Sequence, residues 1–224
     1  FSLSERHLGL VQASENQNLE HWIDTVAEAL APSLDLETLT ELTSQPKLKA
    51  QENKNKPGQR IAVARDVAFE FSYPHHLRSW RLAGASISFF SPVADEAVAK
   101  DADFIFLPGG YPELHAGQIA AAQRFKSSIK GHAANDTPIY GECGGYMTLG
   151  DAIIDEHGVS HEMLGLLNLE TSFADRKLHL GYRQLSPLGP HFEGPLRGHE
   201  FHYASTLSAK GLPLFSAKDA DNVQ

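Results

Sequence analysis

Ile139-Tyr-Gly-Glu-Cys-Gly-Gly-Tyr-Met147 is the stretch on which the reading of this chain turns. It holds the chain's one cysteine, framed as Gly141-x-Cys143-x-Gly145, with β-forming residues before it and a helix-competent run after it. A nucleophile set on a sharp strand-to-helix turn needs small neighbours, because the backbone there is crowded and strained. The arrangement is that of a nucleophile elbow with sulfur in place of the serine oxygen. The free N–H groups of the helix start would face whatever the sulfur attacks, lowering the thiol pKa and binding an oxyanion. The alternative is a buried structural cysteine, a frequent fate of a lone Cys. The glycines on both sides favour the nucleophile.

Upstream of the elbow the pattern alternates between strands and helices. Ile61-Ala-Val-Ala64, Ser86-Ile-Ser-Phe-Phe90, Phe104-Ile-Phe-Leu107 and Thr137-Pro-Ile-Tyr140 read as short strands. Between them lie helical stretches at 75–83, ended by Gly84, and at 115–133, where Ile119, Ala122, Phe125 and Ile129 keep helical spacing. This rhythm predicts a mainly parallel sheet covered on both faces. Ligands of such sheets bind beyond the carboxyl ends of the strands. Two of those ends carry glycine pairs, Gly109-Gly110 and Gly144-Gly145. Past residue 160 the chain turns β-rich, with strands expected at 164–171, 177–185 and 199–206.

Toward the N-terminus, Leu19, Trp22, Ile23, Val26 and Leu30 share one helical face, and Pro32-Ser33 ends the pattern. Asp35 is placed to cap a second short helix carrying Leu36, Leu39 and Leu42. Residues 43–60 are polar, with Lys47, Lys49, Lys54, Lys56, Pro46, Pro57 and Gly58, and read as a solvated linker. A nucleic-acid patch is the other reading of the lysines, but aromatics are missing and the protein is acidic. The expected organisation is therefore 1–42, a linker at 43–60, and an α/β domain at 61–224.

Composition narrows the function. A net charge of −9 argues against nucleic acid or an anionic membrane as principal partner. One cysteine in 224 residues excludes an internal disulfide framework and a cysteine-rich zinc module. No apolar run reaches membrane-spanning length and the N-terminus lacks the pattern of a signal peptide. A reactive thiol without disulfides suits the cytoplasm.

Three further clusters carry polar chemistry. Leu107-Pro-Gly-Gly-Tyr-Pro-Glu-Leu114 offers backbone N–H groups at a strand end, fit for an oxyanion hole or for an ordinary turn. Gly198-His-Glu-Phe-His-Tyr203 alternates along a strand, so His199 and His202 fall on opposite faces. That spacing, with no third ligand in view, speaks against a metal, and none is expected. Either imidazole is a candidate base for the thiol. Arg65-Asp66, followed by Phe69, Phe71, Tyr73 and His75, reads equally as a structural salt bridge with core aromatics or as a ligand contact.

Taken together, 107–114, 140–147, Leu180-Gly-Tyr-Arg183 and 198–203 resemble the glutamine amidotransferase part of the cobyrinate a,c-diamide synthase family, and Glu5-Arg-His-Leu-Gly-Leu10 resembles the segment that closes its ATP-using synthetase domain. The resemblance runs over nearly the whole chain. It implies a flavodoxin-like, three-layer α/β fold of the class I amidotransferase kind. It implies that 1–42 is the remnant of the synthetase domain, and that the whole enzyme uses ATP and Mg2+, bound outside this chain, to activate the a and c carboxylates of cobyrinate in cobalamin biosynthesis. Glutamine supplies the ammonia. Cys143 would attack the side-chain amide, with the N–H of Gly144 and of Gly109 or Gly110 holding the oxyanion. In this family the general-base histidine is expected in a later strand, beyond Gln224, which leaves His199 and His202 as second choices. Phe1 in place of an initiator Met, and the missing late strand, lead to the expectation of a piece of a longer protein. Cobyrinate, hydrogenobyrinate and a nickel-sirohydrochlorin are all possible acceptors on this resemblance. A different Cys-elbow hydrolase and a non-catalytic amidotransferase-like binding module stand as rival classes.

Overall fold

The computed structural model describes residues 2–6, 9–44 and 56–219. The chain divides into two units, Phe1–Asn53 and Lys54–Gln224. Most of the expected linker, residues 45–55, lies outside the described residues.

In the first unit β1 (Glu5–Arg6) and β2 (Gly9–Leu10) form a short antiparallel pair. Helix α1 (Leu19–Leu30) takes up the expected apolar stripe, and a 3-10 turn containing Pro32 joins it to α2 (Leu36–Leu42). Asp35 caps α2, its carboxylate accepting from Thr38 N at 3.0 Å. No described residue of either helix is buried, and Leu42 is 77% exposed.

The second unit is built on a four-stranded parallel sheet, β3 (Arg60–Ala64), β4 (Ser86–Phe90), β5 (Phe104–Leu107) and β6 (Ile139–Gly141), in the order β4-β3-β5-β6. Alternation along β3 sorts the core into two layers. Ile61 and Val63 pack with Leu77 and Trp80 of α3 (Pro74–Leu82) on one face. Ala62 and Ala64 pack with Ile119, Phe125 and Ile129 on the other. Helices on both faces of a parallel sheet give the three layers expected. The order reverses between β3 and β5, so their carboxyl ends open the crevice where such sheets bind ligands.

The helix expected over 115–133 is two helices, α4 (Ala116–Ala121) and α5 (Gln123–Ala134), with Ala122 turned out of helical geometry at ψ 82°. The cause is tertiary. Asp95 reaches from another loop to accept Phe125 N at 2.9 Å and starts α5 afresh. Ile119, Ala122, Phe125 and Ile129 nevertheless share one buried face. Phe125 stacks on Phe90 at 6.1 Å.

Beyond β6 come α6 (Gly144–Leu149), β7 (Ala152–Ile154), β8 (Ser160–Glu162), β9 (Asn168–Ser172), β10 (His179–Pro187), β11 (Leu196–His202), β12 (Ser205–Lys210) and β13 (Phe215–Lys218). They form a four-stranded sheet ordered β12-β9-β7-β8 and an antiparallel sheet ordered β11-β10-β13. The strand expected at 199–206 is broken between His202 and Ser205, its halves going to different sheets. The strands β7, β8 and β13 lacked a legible alternation in the sequence. Among the described residues no helix is long and apolar enough to cross a membrane.

Candidate active site

Strand β6 ends at Gly141 and α6 begins at Gly144, leaving Cys143 at the turn with φ 47° and ψ −113°. A residue with a Cβ in such a conformation carries about 1–3 kcal/mol of strain, which persists only when the surroundings impose it. Here they do. Glu142 N donates to Leu107 O at 3.0 Å, Gly145 N to Glu142 O at 2.8 Å, and Met147 N to Cys143 O at 3.0 Å. A Cβ at Gly145 would stand 1.9 Å from Leu107 O, so α6 can press on the end of β5 only with glycine there.

The second glycine pair is held by the loop that follows β3. Phe71 N donates to Gly109 O at 3.0 Å and Tyr111 N to Ala68 O at 3.1 Å. Asp66 anchors that loop by accepting from Ala68 N, Ser91 Oγ and Val93 N at 2.8–2.9 Å. Asp66 is thus a loop clamp instead of a partner for Arg65, whose guanidinium sits over the Phe89 ring at 5.0 Å. The clamp brings Gly109 so close that a Cβ on it would lie 3.2 Å from Cys143 Cβ, and a Cβ on Gly144 would lie 3.3 Å from Gly110 N. The two expected donor loops therefore meet, with the N–H groups of Gly144 and Gly110 both aimed at the sulfur.

The electrostatics differ from the expectation of a lowered thiol pKa. Burial pushes the Cys143 thiol up, and the carboxylates of Glu113 and Glu142 push it further. The N–H groups of Gly144 and Gly110 oppose this without overcoming it. Burial also raises Glu142, against the opposing charge of His199, and Tyr140 is pushed up to about 12 by burial first and Glu142 next. At neutral pH the sulfur is a thiol, so its reactions require a group that removes the proton.

Cys143 opens into a cavity of about 280 Å³ whose walls include Met147, Thr171, His199, Glu200, His202 and Thr206. That volume lies at the lower end of small-molecule sites and suits a ligand of amino-acid size. Strand β11 brings both candidate histidines to this cavity, but in different states. His202 is engaged at both ring nitrogens, by Glu200 Oε1 at 2.8 Å and Ala204 O at 3.0 Å. Glu200 is also paired with Arg183 of β10. Burial pushes the Glu200 carboxyl up, but His202 and Arg183 outweigh it and hold the group below its ordinary value.

The register of β10 against β11 sets His179 opposite His202, their rings stacked at 4.7 Å. His179, Glu200 and His202 hold possible ligand atoms within 4.8 Å of one another. This supplies the third ligand that sequence spacing did not reveal. Both Glu200 oxygens and both His202 nitrogens already have protein partners, however, so the group is closed as an ion-pair network.

Thr171, Thr206 and His179 belong to this neighbourhood without having been singled out in the sequence. Threonine is an ordinary strand residue, and a cross-strand neighbour has no fixed spacing along the chain.

A profile of the CobB/CobQ-like glutamine amidotransferase domain matches residues 60–224. A hydrogenobyrinate a,c-diamide synthase of Brucella anthropi is 53% identical over 226 residues, covering 98% of this chain and 52% of that protein. Its counterpart in Brucella abortus is 54% identical over the same shares of the two chains. Among solved structures, PurLQS from Thermotoga maritima aligns at a TM-score of 0.49 and 17% identity, over 73% of this chain and 75% of that one. The chain spans about half the length of the curated relatives it matches.

Proposed function

Because this chain belongs to the CobB/CobQ-like glutamine amidotransferase domain family, we propose that it hydrolyses glutamine at Cys143 and delivers the ammonia to a,c-diamidation of a corrin-ring precursor. The names of its relatives favour hydrogenobyrinate, or the kindred cobyrinate, as acceptor. The observation that carries the glutaminase reading is the strained Cys143, faced by the N–H groups of Gly110 and Gly144 at the wall of an amino-acid-sized cavity.

The chemistry follows from these groups. A base takes the thiol proton, and the sulfur forms a bond to the side-chain amide carbon of glutamine. The carbonyl electrons move onto oxygen, where the two N–H donors stabilise the negative charge. Losing one such donor typically lowers the rate by ~10²–10³. Collapse breaks the C–N bond, and the nitrogen leaves as ammonia after receiving the proton. Water then attacks the thioester, releasing glutamate and restoring the thiol.

A histidine serves as the base, a role worth about 10²–10⁴. The family resemblance puts that histidine after Gln224. Within the described residues His199 is better suited than His202, whose ring nitrogens are both engaged. ATP and Mg2+ belong to a synthetase domain of which residues 1–42 are the closing piece, acting on the accepting carboxylates. No Gly-x-x-x-x-Gly-Lys phosphate loop occurs in the 224 residues. The cytoplasm is the compartment that suits such an enzyme.

The test is Cys143→Ser in the longer protein. Glutamine-driven amidation should vanish while amidation from added ammonia persists. Loss of both with the fold intact, or of neither, refutes the proposal.

A further inference from the structure

We infer that the Thr171 hydroxyl recognises the amino-acid end of glutamine. The inference rests on the glutaminase reading and adds to it the group that holds the substrate away from the reacting amide.

Thr171 stands on β9, an interior strand flanked by β12 and β7, opposite Thr206 on one side and Ile153 on the other. Its same-face neighbours along the chain, Leu169 and Phe173, are buried apolar residues. Thr171 is itself only 3% exposed, and its Oγ1 is buried without a hydrogen-bond partner among the described residues. Leaving a buried hydroxyl unsatisfied is destabilising, and valine has nearly the same shape without that cost. A threonine on such a face is explained when something else meets its hydroxyl. The place is the wall of the cavity that holds Cys143.

Two of the other polar groups of that wall, Glu200 and His202, are already committed. The N–H groups of Gly110 and Gly144 face the sulfur, where the amide oxygen would go. Glu200 is held by Arg183 and His202, and His202 by Glu200 and Ala204. Thr206, the cross-strand partner of Thr171, is exposed. With its amide at Cys143, a glutamine must still place its ammonium and carboxylate in the cavity. Thr171 Oγ1 can accept from the first or donate to the second.

The experiment measures, in the longer protein, how labelling of Cys143 depends on the concentration of a glutamine-mimicking diazoketone, followed by intact mass spectrometry. Iodoacetamide, which lacks the amino-acid end, serves as the comparison reagent. Thr171→Val should raise the half-saturating concentration of the diazoketone by about tenfold, the scale of one hydrogen bond to a charged group. The limiting labelling rate and the iodoacetamide rate should stay unchanged. Thr171→Ser, which keeps the hydroxyl, should bind the diazoketone nearly as the parent does. An unchanged half-saturation in Thr171→Val overturns the inference, and so does equal weakening in the Val and Ser variants, which would mark a packing role. If the diazoketone fails to label Cys143 in the longer parent protein, the glutaminase reading itself fails.

Discussion

Replacing Gly110 by alanine tests the proposed role of its loop in holding the oxyanion. The added Cβ would stand 2.1 Å from Ala68 O, 2.7 Å from Ala68 C and 3.0 Å from Phe69 N. All three are backbone atoms, so no side chain can swing aside. Bringing the closest contact from 2.1 Å out to 3.0 Å, below which real Cβ contacts essentially never fall, requires the loop to move by about 0.9 Å. That movement strains the bond from Tyr111 N to Ala68 O, now 3.1 Å, and carries the Gly110 N–H away from the sulfur. Overpacking of this kind costs about 1–3 kcal/mol. For a protein of this length that lowers the melting temperature by about 2–4 °C per kcal/mol. The effect on catalysis should be larger in proportion, because a displacement near 1 Å or the loss of one oxyanion donor lowers turnover by ~10²–10³. The assay is glutamate release from glutamine in the longer protein, alongside thermal unfolding of the same variant. Gly158→Ala is the control: its φ is +79° and nothing lies within 4 Å of the added Cβ. It should lose about 1 kcal/mol of stability and no turnover. A folded Gly110→Ala variant that releases glutamate at the parent rate would refute the assignment of this N–H.

Two further outcomes follow from the same geometry. Because burial and two carboxylates raise the Cys143 pKa above its ordinary value of 9.0, the iodoacetamide rate plotted against pH should have its midpoint above 9.0, and a midpoint at or below that value contradicts the electrostatic account. Asp95→Ala removes the tertiary cap at Phe125 N and should cost about 0.5–2 kcal/mol, read as a lower urea midpoint at unchanged slope; an unchanged midpoint would show that α5 starts without it.

The elbow, the parallel strands and the three-layer arrangement were legible because each depends on short-range order. Apolar runs bounded by glycine and proline specify buried strands, and only small residues tolerate the Cys143 turn. The alternation in 198–203 likewise predicted that Glu200 and His202 share a face, and they bond to each other. What the tertiary structure alone decided was which of these groups meet. Asp95 splits a continuous helical pattern from 30 residues away. Asp66, readable as half of a salt bridge, instead fixes the loop that carries Gly109 and Gly110 to the thiol. Strand register sets His179 against His202 and Thr171 against Thr206. The thiol pKa moved opposite to the direction that the elbow pattern alone predicts, since helix-start N–H groups lower it whereas burial and the neighbouring Glu113 and Glu142 raise it. Burial and cross-strand contact depend on how distant segments pack, and spacing along the chain does not encode that distance.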